Sequence, residues 1–160
     1  MARFAENTTV SPERSQAELQ RILERYGANQ IGVAYDNSRV RVEFFANARR
    51  VRFTIAIPDL EEFKYDSRKR PRTATVMQSG RSAEKRRRWR ALVLAVKAKL
   101  EVVESEIATF EEEFAAHIVL PDGSTVAEYL IPSIAEAYET GRVPALLPGS
   151  VTQLRITDGK

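Results

Sequence analysis

Trp89, Val93, Val96, Leu100, Val103, Ile107, Phe110 and Phe114 recur at steps of 4, 3, 4, 3, 4, 3 and 4. Such spacing lines one face of an α-helix with apolar side chains, so the segment must lie against something along its whole length. It predicts a single helix from Ser82 to Phe114, about 50 Å long at 1.5 Å per residue. A compact domain of 160 residues is roughly 40 Å across, so one end should overhang unless a partner covers it. With Trp89 as a d position, the e and g positions are Arg90, Leu92, Lys97, Lys99, Glu104, Glu106, Glu111 and Glu113. They are basic early and acidic late, which favours antiparallel pairing of two such helices. Val93, Val96, Leu100, Val103, Ile107 and Phe110 would then form the oligomerisation seam.

Upstream of that helix the periodicity changes. Ser11-Pro12 is a cap followed by a first-turn proline, Leu19, Ile22, Leu23 and Tyr26 follow at helical spacing, and Gly27 stops the helix, which spans 12–26. Ile31, Val33 and Tyr35 then alternate up to Asp36-Asn37-Ser38. Val40, Val42 and Phe44 alternate with Arg39, Arg41 and Glu43, and after a turn near Asn47 the residues Val51, Phe53, Ile55 and Ile57 alternate with Arg50, Arg52 and Thr54. Period-two runs joined by short turns predict an antiparallel meander with one apolar face and one wet, arginine-rich face. Residues 59–81 read as a flexible basic loop. Downstream, Pro121-Asp122-Gly123 is a turn, and Thr125 with Glu128 forms a capping box. It opens a helix that Pro132 should kink and Gly141 should end, packed against the long one. The expected class is α+β: one domain over 1–149 and a loosely held tail over 150–160, with Pro144 and Pro148 marking an extended approach to it.

Charge is distributed unevenly. Residues 1–90 hold 20 Lys+Arg against 11 Asp+Glu, a balance of +9; residues 91–160 hold 5 against 11, a balance of −6. Either one half meets an anionic partner or the two halves pair with each other. Between Lys64 and Arg90 stand eleven basic residues and two acids, Asp66 and Glu84. Arginine predominates, and its planar fork suits phosphate oxygens. Arg68, Lys69, Arg70, Arg72, Arg86, Arg87, Arg88 and Arg90 are the candidate nucleic-acid-binding residues, extended by Arg39, Arg41, Arg50 and Arg52 on the wet strand face. Tyr65 and Trp89 are candidates for stacking on bases, although the seam position of Trp89 favours a place in the core. Lys85 to Arg88 would sit at the start of the helix and Glu111 to Glu113 at its end. Those placements oppose the helix dipole, so each cluster should answer something outside the helix.

Chemical machinery is not evident. The chain has no cysteine, which excludes disulfides, thiolate zinc sites and cysteine nucleophiles and favours a reducing compartment. His117 is the only histidine, so no histidine pair can bind metal, and its apolar neighbours suggest packing. Glu101, Glu104, Glu106, Glu111, Glu112 and Glu113 could in principle hold Mg²⁺ for a nuclease, but no strand-borne acids or lysine motif accompany them. Neither a Walker loop nor a glycine-rich dinucleotide motif is present. No apolar run reaches the ~20 residues of a membrane span, and the first residues lack a signal-peptide stretch. The expectation is a soluble, cytoplasmic, non-enzymatic protein without cofactor.

Several stretches carry a resemblance: Ala5-Glu6-Asn7-Thr8-Thr9-Val10-Ser11, Arg25-Tyr26-Gly27-Ala28, Arg88-Trp89-Arg90-Ala91-Leu92, Lys97-Ala98-Lys99-Leu100-Glu101, Thr109 to Phe114, Ile118 to Gly123, Ala137-Tyr138 with Gly141, and Pro144 to Pro148. In these the chain resembles a family of uncharacterised proteins encoded by tailed phages and prophages. The resemblance covers nearly the whole chain and implies a phage or prophage origin without implying a mechanism. In element order alone, the chain is also similar to single-strand annealing proteins, although many unrelated folds share that order. The leading expectation is an accessory protein that binds DNA or RNA through backbone phosphates. The alternatives are an oligomeric interaction module (a scaffold, virion component or host-enzyme inhibitor) and a metal-dependent nuclease.

Overall fold

The structure, a computed structural model, describes Ala5 and residues 8–142. Helix α1 spans Pro12–Arg25, with Ser11 accepting a hydrogen bond from the Arg14 backbone N–H as its cap. Strands β1 (Asn29–Tyr35), β2 (Arg39–Ala46) and β3 (Arg49–Ala56) form an antiparallel sheet in the order β1-β2-β3. Asn47 and Ala48 join β2 to β3 with positive φ at both positions, the backbone twist that a two-residue hairpin needs. Register pairs Val42 with Phe53 and Phe44 with Val51 on the inner face, and Arg41 with Thr54 and Glu43 with Arg52 on the outer. The alternation in the sequence is therefore realised in the paired strands.

Helix α2 spans Ala74–Glu104. Together with α1 it covers the inner face of the sheet, giving a two-layer α+β arrangement. Leu19 and Leu23 from α1, Trp89, Val93, Val96 and Leu100 from α2, and Val40, Val42, Phe44, Val51, Phe53 and Ile55 from the strands are buried together. After α2 come the short α3 (Phe110–Phe114) and a 3₁₀ turn over Ala115–His117. Phe114 meets Phe44 and Phe53 edge-on, with ring centroids 6.1 and 6.3 Å apart. Val119 then donates its backbone N–H to the Arg50 carbonyl, which covers part of the β3 edge. Helix α4 (Val126–Thr140) opens on the expected Thr125–Glu128 capping box and ends on Gly141 in the left-handed conformation.

Four features depart from the sequence expectation. The long helix starts at Ala74, eight residues before Ser82, because Thr73 accepts a hydrogen bond from the Val76 N–H and caps it there. Ser79-Gly80, which reads as a loop, lies inside that helix. A Cβ on Gly80 would come within 2.8 Å of the Phe63 ring, so this glycine admits close packing. The flexible loop over 59–81 is accordingly replaced by a 3₁₀ turn at Leu60–Phe63, a small hairpin closed by the Tyr65–Pro71 bridge, and the first turns of α2. At its other end the helix stops at Glu104, with Ser105 as C-cap and Glu106 at positive φ, and Thr109 with Glu112 forms a new capping box for α3. Finally, α4 meets the body through the 115–117 turn rather than lying along α2, and none of its residues is buried. The tail expected over 150–160 and the prolines Pro144 and Pro148 lie outside the described residues.

Candidate nucleic-acid interface

The structure divides the predicted basic residues into those held by the protein itself and those left open. Arg86, Arg87, Arg88 and Arg90 lie in the middle of α2, three to four turns from its start, so the dipole conflict expected for them does not arise. Arg87 and Arg88 both donate to the Glu84 carboxylate, Arg87 Nε at 2.8 Å and Arg88 Nε at 2.9 Å. The Arg87 bonds, reinforced by Arg88 and opposed by partial burial, pull the Glu84 carboxyl down to about 2. A carboxylate that accepts several charge-assisted hydrogen bonds stays ionised far below its usual range. Arg88 also donates to the Ala56 carbonyl and Arg81 to the Pro58 carbonyl, tying α2 to the end of β3. Arg90 bonds Glu18 of α1 at 2.5 Å. Arg86 forms no ion pair within the described chain. The helix half of the basic segment is therefore mostly internal mortar, and a single open cationic surface around the helix start is not what forms.

On the outer sheet face, Arg50 and Arg52 converge on one carboxylate, Glu43, with Arg52 Nε 2.5 Å away. Arg52 also donates to the Gly123 carbonyl at 2.7 Å. Arg39 and Arg41, in contrast, are exposed and form no ion pair among the described residues. The four arginines share a face, as expected, but two of them are committed to Glu43.

The hairpin over Lys64–Arg72 differs in character. Asp66 accepts the backbone N–H groups of Arg68 and Arg70 and the side chain of Arg70, while the Arg72 N–H donates to the Lys64 carbonyl. Those backbone bonds, the Arg70 one foremost, together with the nearby Arg72 charge, hold the Asp66 carboxyl below its usual range. One acid thus organises a loop with five cations among its nine residues. Arg68, Lys69 and Arg72 are exposed without an ion pair in the described chain, Arg70 stays largely exposed despite its pair with Asp66, and Lys69 sits at the tip with positive φ. Tyr65 is 55% exposed beside them. Trp89 is fully buried in the core and cannot stack on anything outside.

The predicted oligomerisation seam is also corrected. Val93, Val96, Leu100 and Phe110 are buried against the chain's own sheet and α1, and Val103 packs on the same core. Ile107, past the end of α2, is 76% exposed and stands apart from them. A second long helix could not occupy this seam without displacing the sheet. The glutamates weighed as a metal cluster are scattered over separate duties: Glu101 accepts from Tyr26, Glu112 caps α3 and Glu113 pairs with Lys99. Among the described residues no group of three or more His, Asp or Glu is placed to hold a metal ion, and no helix is long and apolar enough to cross a membrane. His117 stacks on Phe53 with centroids 4.0 Å apart, and burial, aided by the Lys99 charge, lowers its pKa.

Comparison with protein families, curated proteins and solved structures finds no match for this chain.

Proposed function

We propose that this chain is a non-enzymatic, cytoplasmic accessory protein of the phage type that binds nucleic acid through backbone phosphates. The Lys64–Arg72 hairpin is its principal contact, and Arg39 and Arg41 form a second. The observation that carries this reading is the hairpin itself: exposed cations and an exposed tyrosine on a loop pre-shaped by Asp66. A loop already ordered loses less conformational entropy on binding than a flexible one. Lys and Arg displace counterions from phosphates, and a tyrosine face stacks on an unpaired base.

The charge balance supports the same reading. Of the ion pairs between described residues, one joins residues 1–90 to residues 91–160, Arg49 with Glu111 at 3.6 Å. Arg68, Lys69 and Arg72 of the hairpin are in none of these pairs and stand open to an anionic partner.

Fluorescence anisotropy with labelled single-stranded and duplex oligonucleotides across a salt series tests the proposal. Affinity should fall steeply as salt rises. Arg68→Glu with Lys69→Glu and Arg72→Glu should flatten the slope by about one for each phosphate no longer neutralised. Arg86→Ala should leave the slope nearly unchanged. Absence of binding to any oligonucleotide at about 50 mM salt would refute the proposal.

A further inference from the structure

The Lys64–Arg72 hairpin has two unlike faces. The Asp66 N–H donates to the Arg70 carbonyl at 2.9 Å and the Arg72 N–H to the Lys64 carbonyl at 2.8 Å. These bonds bracket Tyr65 and Pro71 as a non-hydrogen-bonded antiparallel pair. Side chains of such a pair stand close together on one face of the ribbon, and their chain neighbours point to the other. Tyr65 and Pro71 therefore make one face, and Lys64, Asp66, Arg70 and Arg72 the opposite one. The Asp66–Arg70 ion pair supports that assignment independently. Arg68 and Lys69 lie at the tip, where the two faces meet, next to the bond from the Lys69 N–H to the Asp66 carbonyl.

Charge alone does not choose among nucleic acids. Phosphates occur on one strand and on two, so the cationic face fits either. The acids at the 3₁₀ turn before the hairpin do not alter this. Glu61 pairs with Lys64, Asp59 and Glu62 cap the turn, and their charge opposes single and paired strands alike.

The tyrosine face does discriminate. Tyr26, Tyr35 and Tyr129 spend their hydroxyls on Glu101, Gln16 and Asp122. Tyr65 makes no side-chain hydrogen bond, ring contact or cation–π contact among the described residues, and 55% of its surface is open. Tyr138 is also open, but it stands on a helix whose charges are all acidic and which repels phosphates. Tyr65 is thus the tyrosine that combines a free ring with adjoining free cations. In a duplex each base face is covered by the next pair, so only an unpaired base offers a face to stack on it.

Resting on the phosphate-binding reading above, we propose that the hairpin selects single strands: an unpaired base stacks on the Tyr65 ring beside Pro71, while Arg68 and Lys69 hold the phosphates that flank it. Arg70 and Arg72, on the opposite face, attract the strand without discriminating.

Fluorescence anisotropy with three labelled probes of about 15 nucleotides tests this. They are a thymine single strand, the same phosphodiester backbone with an abasic site in place of every base, and a blunt duplex. The two single strands carry equal charge, so their difference reports the bases alone. At one salt concentration, wild type should bind the thymine strand about tenfold more tightly than the abasic strand, the factor for one stacked base, and more tightly than the duplex. Tyr65→Leu keeps an apolar side chain beside Pro71 and removes the ring. It should bring the thymine strand down to the abasic level while leaving abasic binding, duplex binding and the salt slope unchanged. Tyr65→Phe should retain the tenfold preference, because the ring and not the hydroxyl does the stacking. Wild type binding the abasic strand or the duplex as tightly as the thymine strand would overturn the selection and leave the phosphate reading standing. A preference that survives Tyr65→Leu would overturn it too. Binding of none of the three probes would remove the phosphate reading and this proposal with it.

Discussion

Ser15 and Trp89 are both fully buried, yet Ser15 Oγ and Trp89 Nε1 lack a hydrogen-bond partner among the described residues. A buried hydroxyl without a partner costs stability, so deleting it should cost nothing further. Ser15→Ala should be neutral or stabilising by up to about 1 kcal/mol in urea unfolding; a loss of that size would reveal a bond the geometry does not show. Trp89→Ala removes the largest fully buried side chain and should cost about 3–5 kcal/mol in the same experiment. His117 gives a pH signature. Burial and the Lys99 charge put its folded pKa below the unfolded value, so in the window beneath about pH 6.5 the unfolded chain binds the extra proton. Stability should be full above that window and decline as pH falls through it. His117→Gln should remove that part of the slope in unfolding midpoints measured between about pH 7 and about pH 5. The core place of Trp89 was legible from its position on the apolar seam. The fate of Arg87, Arg88 and Arg90 was not, because each meets a partner that spacing alone does not single out: Glu84 shared by two arginines, the Ala56 carbonyl, and Glu18 on another helix.

At the level of elements, the strands followed their alternation and the caps at Ser11 and Thr125 held their helices as expected. The long helix misled because its 4-3 spacing runs on across a real break. Phe110 and Phe114 keep the rhythm, yet they belong to α3, which turns back so that both rings enter the core. A signal was present in Thr109 and Glu112, three residues apart and able to cap each other's backbone groups. With the break in place, Glu111, Glu112 and Glu113 stand in a first turn, where carboxylates favour the helix dipole, rather than in a last turn, where they oppose it. Thr109→Ala should therefore lower global stability by about 1 kcal/mol, since the cap it removes positions two core phenylalanines. Pro132→Ala should behave differently. Proline in a helix interior is about 3 kcal/mol worse than alanine, so the change should raise the helical signal in far-UV circular dichroism. In a monomer it should move the unfolding midpoint little, because no residue of α4 is fully buried; a large midpoint shift would mean that α4 is coupled to the core.

For the molecule as a whole, the uneven charge along the chain became three distinct arrangements in space. One part of the basic excess ties α2 to α1 and β3, one part sits on the sheet around Glu43, and one part stays open on the Asp66-organised hairpin. Sequence by itself determined the α+β class, the meander with its inner and outer faces, and most members of the core, although Ile107 kept the seam's rhythm and stands exposed. Those properties follow from local periodicity and capping, which act between residues a few positions apart. Tertiary structure alone decided which cations are internal and which are free. It also decided that the apolar seam is used up inside the chain and that α4 is left uncovered. An ion pair such as Arg90 with Glu18, 72 residues apart, exists only once α1 and α2 lie side by side. Local pattern carries no record of such a meeting, since it is set by how the layers stack to bury the common apolar face.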